Sequence, residues 1–116
     1  MAPTMTQGQT RYRDRLGRPL RGPTAAEQAF PQIDERDFIT AEQTWALARE
    51  YLEQDLPFHV HEVFEQRWRC CPSEERQLWQ ALAQFGAALT HAARANAPGA
   101  YRVGSRSLFN LMDALQ

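Results

Sequence analysis

Apolar residues recur along most of this chain at intervals of three and four, the period at which side chains share one face of an α-helix. Trp45, Ala48, Leu52 and Leu56 form the first such series. Thr40 precedes it as an N-cap, and Gln43 three residues on completes the spacing of a capping box. This predicts a helix over about residues 41–55, ended by Pro57, which disfavours a helical residue before it. Val60, Phe64, Trp68 and Cys71 make a second stripe over about residues 58–71, stopped by Pro72. Ser73 then reads as an N-cap, with Glu74 and Glu75 in a first turn where carboxylates complement the helix dipole. Leu78, Leu82, Phe85, Leu89 and Ala92 carry the third helix through five turns. Asn96 reads as its left-handed C-cap and Ala97-Pro98-Gly99 as a turn. Ala100, Val103, Ser107, Leu111 and Leu115, with Leu108 flanking, extend a fourth helix to the last residue.

The third helix has a second face of small residues, Ala81, Ala88 and Ala95, from which Gln84 and His91 project. Alanines let a neighbouring backbone come close, so both polar side chains are expected to face protein rather than water. No strand-type alternation persists, and short loops between the last three helices make them antiparallel neighbours. The expected fold is all-α, a small antiparallel helical bundle over residues 37–116, with an extended N-terminal arm over residues 1–36.

The arm holds four of the seven prolines and little apolar periodicity, so it cannot bury enough surface to offset its own ordering entropy. Residues 1–33 carry five Arg against Asp14 and Glu27, while residues 34–116 carry eight Arg against twelve carboxylates. The whole chain is near neutral, at −1, and Tyr12 is the one aromatic among the arm's arginines. Nucleic acid is therefore not the expected partner, and a tail draped over the domain is the simpler reading. All thirteen basic residues are Arg, with 17 Ala, which fits a GC-rich coding bias better than selection for phosphate contacts. No apolar run approaches the ~18 residues of a membrane span, and there is no secretory leader of the usual pattern. Cys70 and Cys71 are adjacent, a poor geometry for a disulfide, so two free thiols point to a cytoplasmic setting.

Chemistry concentrates in His61-Glu62-Val63-Phe64-Glu65. His-Glu-x-x-His on a helix is a zinc-hydrolase spacing, because residues four apart can both ligate while the intervening Glu acts as base. Here the fourth position is Glu65. His61, Glu65 and His91 are the candidate ligands for zinc, manganese or iron, and Glu62 is the candidate general base, although a helical wheel turns it about 100° away from His61. Trp68, Gln84 and Asn96 are candidate contacts for an unidentified small-molecule ligand. The competing reading is structural. His61 would pair with Glu65, and Gln84 and His91 would satisfy the remaining donors across the helix seam. The molecule would then be a non-catalytic interaction or dimerisation module, a homo-oligomer whose arm contacts the partner. Arg67 and Arg69 beside Cys70-Cys71 also raise the prospect of a thiol with lowered pKa.

His61-Glu62, Glu65 and Trp68, then Leu78-Trp79-Gln80-x-Leu82-Ala83-Gln84, Leu89-x-His91 and Asn96-x-x-Gly99-Ala100 together resemble the bacterial and archaeal family known as domain of unknown function 309. Asp14-x-x-Gly17-Arg18-Pro19 is similar to its actinobacterial branch. The resemblance spans about residues 41–116. It implies a small all-helical cytoplasmic protein whose matched polar residues converge in one cleft, of a kind described as predicted metal-dependent hydrolases with no established activity. Two positions depart from the family pattern, Ala81 and Ala95, where members usually carry Gly.

Overall fold

The computed structural model describes residues 12–30 and 37–116. The start of the arm and the acidic stretch Asp34-Glu35 lie outside the described residues. The helices are α1 (Ala25–Gln28), α2 (Ala41–Glu53), α3 (Pro57–Cys70), α4 (Arg76–Ala93) and α5 (Ala97–Ala114), with a 3-10 turn at Ser73–Glu75. Among the described residues, β-type pairing is limited to one isolated bridge between Arg13 and Pro19. The chain is an all-α bundle in which α2, α3, α4 and α5 pack in sequence as antiparallel neighbours.

Local rules account for most boundaries. Thr40 Oγ1 accepts from the Gln43 backbone N–H at 3.0 Å while Gln43 Oε1 accepts from the Thr40 N–H at 2.9 Å, so the capping box forms. Pro57 is the first residue of α3 rather than only the end of α2, a position where its missing N–H costs nothing. Ser73 makes no side-chain cap; it opens the 3-10 turn that leads into α4. At the other end of α4, Ala95 (φ 62°) takes the left-handed conformation, and Asn96 caps the start of α5 by accepting from the Gly99 N–H at 3.1 Å. The turn expected at Ala97-Pro98-Gly99 is the first turn of α5, since Pro fits there as it does in α3.

The core gathers Ile39, Ala48, Val60, Val63, Phe64, Trp79 and Ala83. Each large member contributes about 1.5–3 kcal/mol by leaving water. Two helices are rotated from the faces their periodicity suggested. In α2 the buried positions are Thr44 and Ala48, with Trp45 and Leu52 half-exposed. Thr44 can be buried because its hydroxyl donates to the Thr40 carbonyl at 2.7 Å. Trp45 lies across the rim, 5.6 Å from the Phe64 ring and 5.5 Å from that of Trp79. In α4 the buried residues are Trp79, Ala81, Ala83, Gly86 and Thr90, while Phe85 of the expected leucine stripe is exposed. Ala81, Ala83 and Gly86 allow close helix approach to α4 on both sides, with Trp79 the large side chain buried on the same helix.

The arm is docked. Leu16 is buried, and Gly17 (φ 81°) presses against Phe58 so closely that an added Cβ would overlap the ring. Arg13 stands over the Phe58 ring at 5.5 Å, Arg15 pairs with Asp55 at 3.0 Å, and Arg94 donates to the Leu16 carbonyl. Three arginines are thus engaged within the molecule.

Candidate functional site

His61 sits on α3 where that helix crosses α4. Its Nδ1 lies 3.1 Å from the Ala83 carbonyl, an acceptor only, so Nδ1 carries the proton and, in the neutral ring, Nε2 presents a lone pair. The crossing is close because position 86 has no side chain. A Cβ built there would lie 2.6 Å from both Cα and N of His61. Gly86 therefore sets the depth at which His61 enters the seam, and Ala83 sets the direction of its ring. Gly86 did not stand out in the sequence, and Ala83 appeared there only within the family-like run Leu82-Ala83-Gln84. A Gly inside an apolar helical run was the available signal.

His61, Glu62 and Glu65 each offer a ligand atom within 4.8 Å of the others, and all three are part-buried. Glu62 joins the group despite the 100° step at Cα, because its long side chain can turn back and it lies three residues from Glu65 on the helix surface. His61 Nε2 and Glu65 Oε1 are 4.0 Å apart, beyond hydrogen-bond length, and Glu65 is also held by Arg69 at 3.4 Å.

The other candidates have partners of their own. Gln84 Oε1 accepts from Asn110 of α5 at 3.0 Å, beside a second bridge from Ser107 to the Ala81 carbonyl. Gln84 therefore ties α4 to α5 and does not bond to His61. Asn96 Nδ2 donates to His91 Nδ1 at 3.1 Å, and its orientation is settled by Oδ1, which accepts from Gly99. The His91 proton consequently sits on Nε2, and His91 stands outside the His61 group. Trp68 carries the Arg76 guanidinium over its ring at 4.6 Å, and the Trp79 indole donates to Glu75. The competing structural reading has Gln84 and His91 bonding across the seam; their hydrogen bonds go to Asn110 and Asn96.

His61 and His91 do share a wall. A cleft of about 140 Å³ between α3 and α4 is lined by Phe58, His61, Ala87, Thr90, His91 and Arg94. The thiols lie elsewhere, at the end of α3. Burial pushes the Cys71 thiol up, against the pull of Arg67 and Arg76, so the expectation of an activated thiolate does not hold there.

The model of the family called domain of unknown function (DUF309) matches residues 45–103. The chain belongs to the DUF309 family. The matched span includes the His61 group, both walls of the cleft and the α4–α5 turn. Neither a curated protein nor a solved structure matches the chain. No helix among the described residues is long and apolar enough to cross a membrane.

Proposed function

We propose that this DUF309 protein holds a divalent transition metal (zinc, manganese or iron) on the His61, Glu62 and Glu65 face of α3. The neighbouring cleft then takes the small molecule on which the metal acts. The observation that carries this is the ring state of His61: its N–H is engaged by the Ala83 carbonyl, which leaves the Nε2 lone pair beside two carboxylates. One imidazole nitrogen and two carboxylate oxygens suit all three metals, and a backbone acceptor behind the ring is the usual outer partner of a ligating histidine. When bound, such a cation supplies Lewis acidity and lowers the pKa of water, which is the chemistry of a hydrolase. His61 and Glu65 keep the ligand roles expected of them, and Glu62 completes the set in place of His91. Untagged protein dialysed against each metal is expected to retain about one equivalent and to melt higher with metal present, since the ligand binds the folded chain alone. His61→Ala and Glu65→Gln should fold yet lose both effects. Retention below about a tenth of an equivalent, with no thermal shift, sinks the reading.

A second reading, a module that pairs with a copy of itself, is favoured by a different face. Tyr101, Leu108, Phe109 and Met112 of α5, with Leu115 just after it, are 58–78% exposed, and Phe85 of α4 is exposed as well. Leu82, Phe85, Leu108 and Leu111 line a groove of about 390 Å³ between the two helices. Tyr101, Leu108 and Leu115 recur every seven residues, the repeat that keeps one seam towards a partner helix. At about 150–250 Å² per large side chain, the six leave on the order of 600–800 Å² uncovered, close to the ~800 Å² per partner of a standard interface. Arg102 and Arg106 precede Asp113 on α5, so antiparallel copies would set opposite charges side by side. Sedimentation equilibrium is expected to show a dimer that the double change Leu108→Asp, Met112→Asp converts to a folded monomer. A wild-type chain that stays monomeric at every accessible concentration removes this reading.

A further inference from the structure

We propose that the cleft between α3 and α4 is an anion pocket, which takes a phosphoryl or carboxylate group on the donors of Arg94 and His91. Arg94 spends two of its three nitrogens on one backbone acceptor of the arm: Nε and Nη2 reach the Leu16 carbonyl at 3.2 and 2.6 Å. That anchor fixes the plane of the guanidinium and leaves Nη1 without a hydrogen bond among the described residues, on a side chain that lines the cleft. His91 is prepared in the same way. Gly99 orients Asn96, Asn96 donates to Nδ1, and the ring is left with an N–H at Nε2. Two oriented donors, one of them permanently cationic, thus line one small cavity, and among the described residues neither has a protein acceptor for the N–H it presents. An oxyanion is the ligand that satisfies both, because it accepts from several donors and its charge strengthens each bond.

Size sets the class of ligand. Drug-sized molecules occupy pockets of about 300–1,000 Å³, whereas this one, at about 140 Å³, suits a single group of a few heavy atoms. Phe58 and Ala87 supply apolar wall on which the rest of a molecule could lie. Thr90, also in the lining, donates to the Gly86 carbonyl at 2.9 Å and so has lone pairs but no spare proton. Glu62 and Glu65 lie beyond His61 and would repel an anion; Arg94 and the His91 N–H must outweigh them, and a cation held by those acids would reverse their sign.

The inference also gives the arm a task. Arg13 and Gly17 both pack on Phe58, and the Leu16 carbonyl between them in sequence accepts from Arg94. Residues that touch no ligand therefore position the guanidinium that does. As the anionic group of a substrate, the proposal rests on the metal-site reading above; as an anion site it does not, and the test separates the two.

Inorganic phosphate and acetate are titrated in turn into the full chain in the presence of a chelator, with the His91 ring resonances and heat of binding as readouts. Saturable binding of one or both is expected, and the tighter of the two identifies a phosphoryl or a carboxylate ligand. Arg94→Gln should weaken binding by about 10- to 100-fold, the range for loss of a charged hydrogen-bond partner. Gly17→Ala, which drives a methyl group against the Phe58 wall and dislodges the arm, should weaken it as well. Arg102→Gln on α5 should leave it unchanged. If Arg94→Gln does not fold, His91→Gln decides in its place. The proposal is overturned if neither anion binds saturably, or if the folded Arg94 or His91 variant binds as tightly as wild type. Anion binding without metal retention would remove the metal reading alone, and the reverse result would remove this one alone.

Discussion

Gly86→Ala is expected to destabilise the protein by about 1–3 kcal/mol, the cost of forcing a methyl group into a closed contact. In a domain of this size that lowers the melting midpoint by roughly 5–20 °C. The sign is informative, because two effects oppose each other. Alanine gains about 1 kcal/mol over glycine in a helix interior from propensity alone. At position 86, however, the new Cβ would lie 2.6 Å from both Cα and N of His61, and backbone atoms cannot swing aside as a side-chain tip can. Gly104→Ala is the matched control: its Cβ would meet the Cβ of Ala88 at 3.6 Å, an ordinary contact, so it should be neutral or stabilising. Thermal and denaturant unfolding of both variants decides the matter. Should Gly86→Ala melt higher than wild type, the tight crossing of α3 and α4 is wrong, and with it the placement of His61 against the Ala83 carbonyl.

Arg67→Ala is expected to cost about 2–3 kcal/mol, as for a hydrogen-bonded charge removed from a largely buried site. The Arg67 side chain is only 8% exposed. Its Nη1 donates to the Ile39 carbonyl at 3.0 Å, its Nη2 to Glu75 Oε1 at 3.2 Å, and its guanidinium lies over the Trp79 ring at 5.4 Å. Truncation leaves the Ile39 carbonyl with the weak Cys70 thiol as its other donor and strips cover from the central tryptophan. The loss would be larger if Glu75 were also buried, but its partial exposure lets water take over. A pH signature accompanies the change. The Trp79 N–H first, and Arg67 second, hold the Glu75 carboxyl below the usual carboxylate range. A group whose folded pKa is depressed contributes stability above its ordinary value, and that contribution disappears as pH falls through the folded value. Stability should therefore decline as the solution is acidified below about pH 4.5, the ordinary value for a glutamate. Glu75→Gln should flatten that decline, and Arg67→Ala should reduce it. A Glu75→Gln profile that overlays wild type would show that the pairing does not persist in solution.

Several features could be read from the chain alone because they depend on neighbours within one or two helical turns. The 3.6-residue period marked the four long helices, and Thr40 with Gln43 marked the start of α2, since a capping box is closed by the residues that form it. His61 and Glu65, four apart, were bound to share a side of α3. Ala81 and Ala88 announced a close approach on one side of α4.

Other features needed the whole fold, because each is a meeting of segments far apart in sequence. Thr44 rather than Trp45 faces the core of α2, since the neighbouring helices, not the period, decide which side is covered. Gly86 matters through the backbone of His61, and His61 has a defined proton position through a carbonyl 22 residues away. Gln84 and His91 share a face of α4, yet one bonds to Asn110 and the other to Asn96, so a single shared stripe divided between two neighbours. A draped arm was the expectation, but its contacts could not be read, because among the described residues it docks through backbone carbonyls, a tight glycine and arginine contacts, none of which leaves a periodic trace. The sequence by itself determined which stretches are helical and that one turn of α3 carries a histidine and two carboxylates, because those are local properties of the chain. Only the tertiary structure decided which donors and acceptors meet, because a hydrogen bond forms over about 3 Å of space, whatever the distance along the chain.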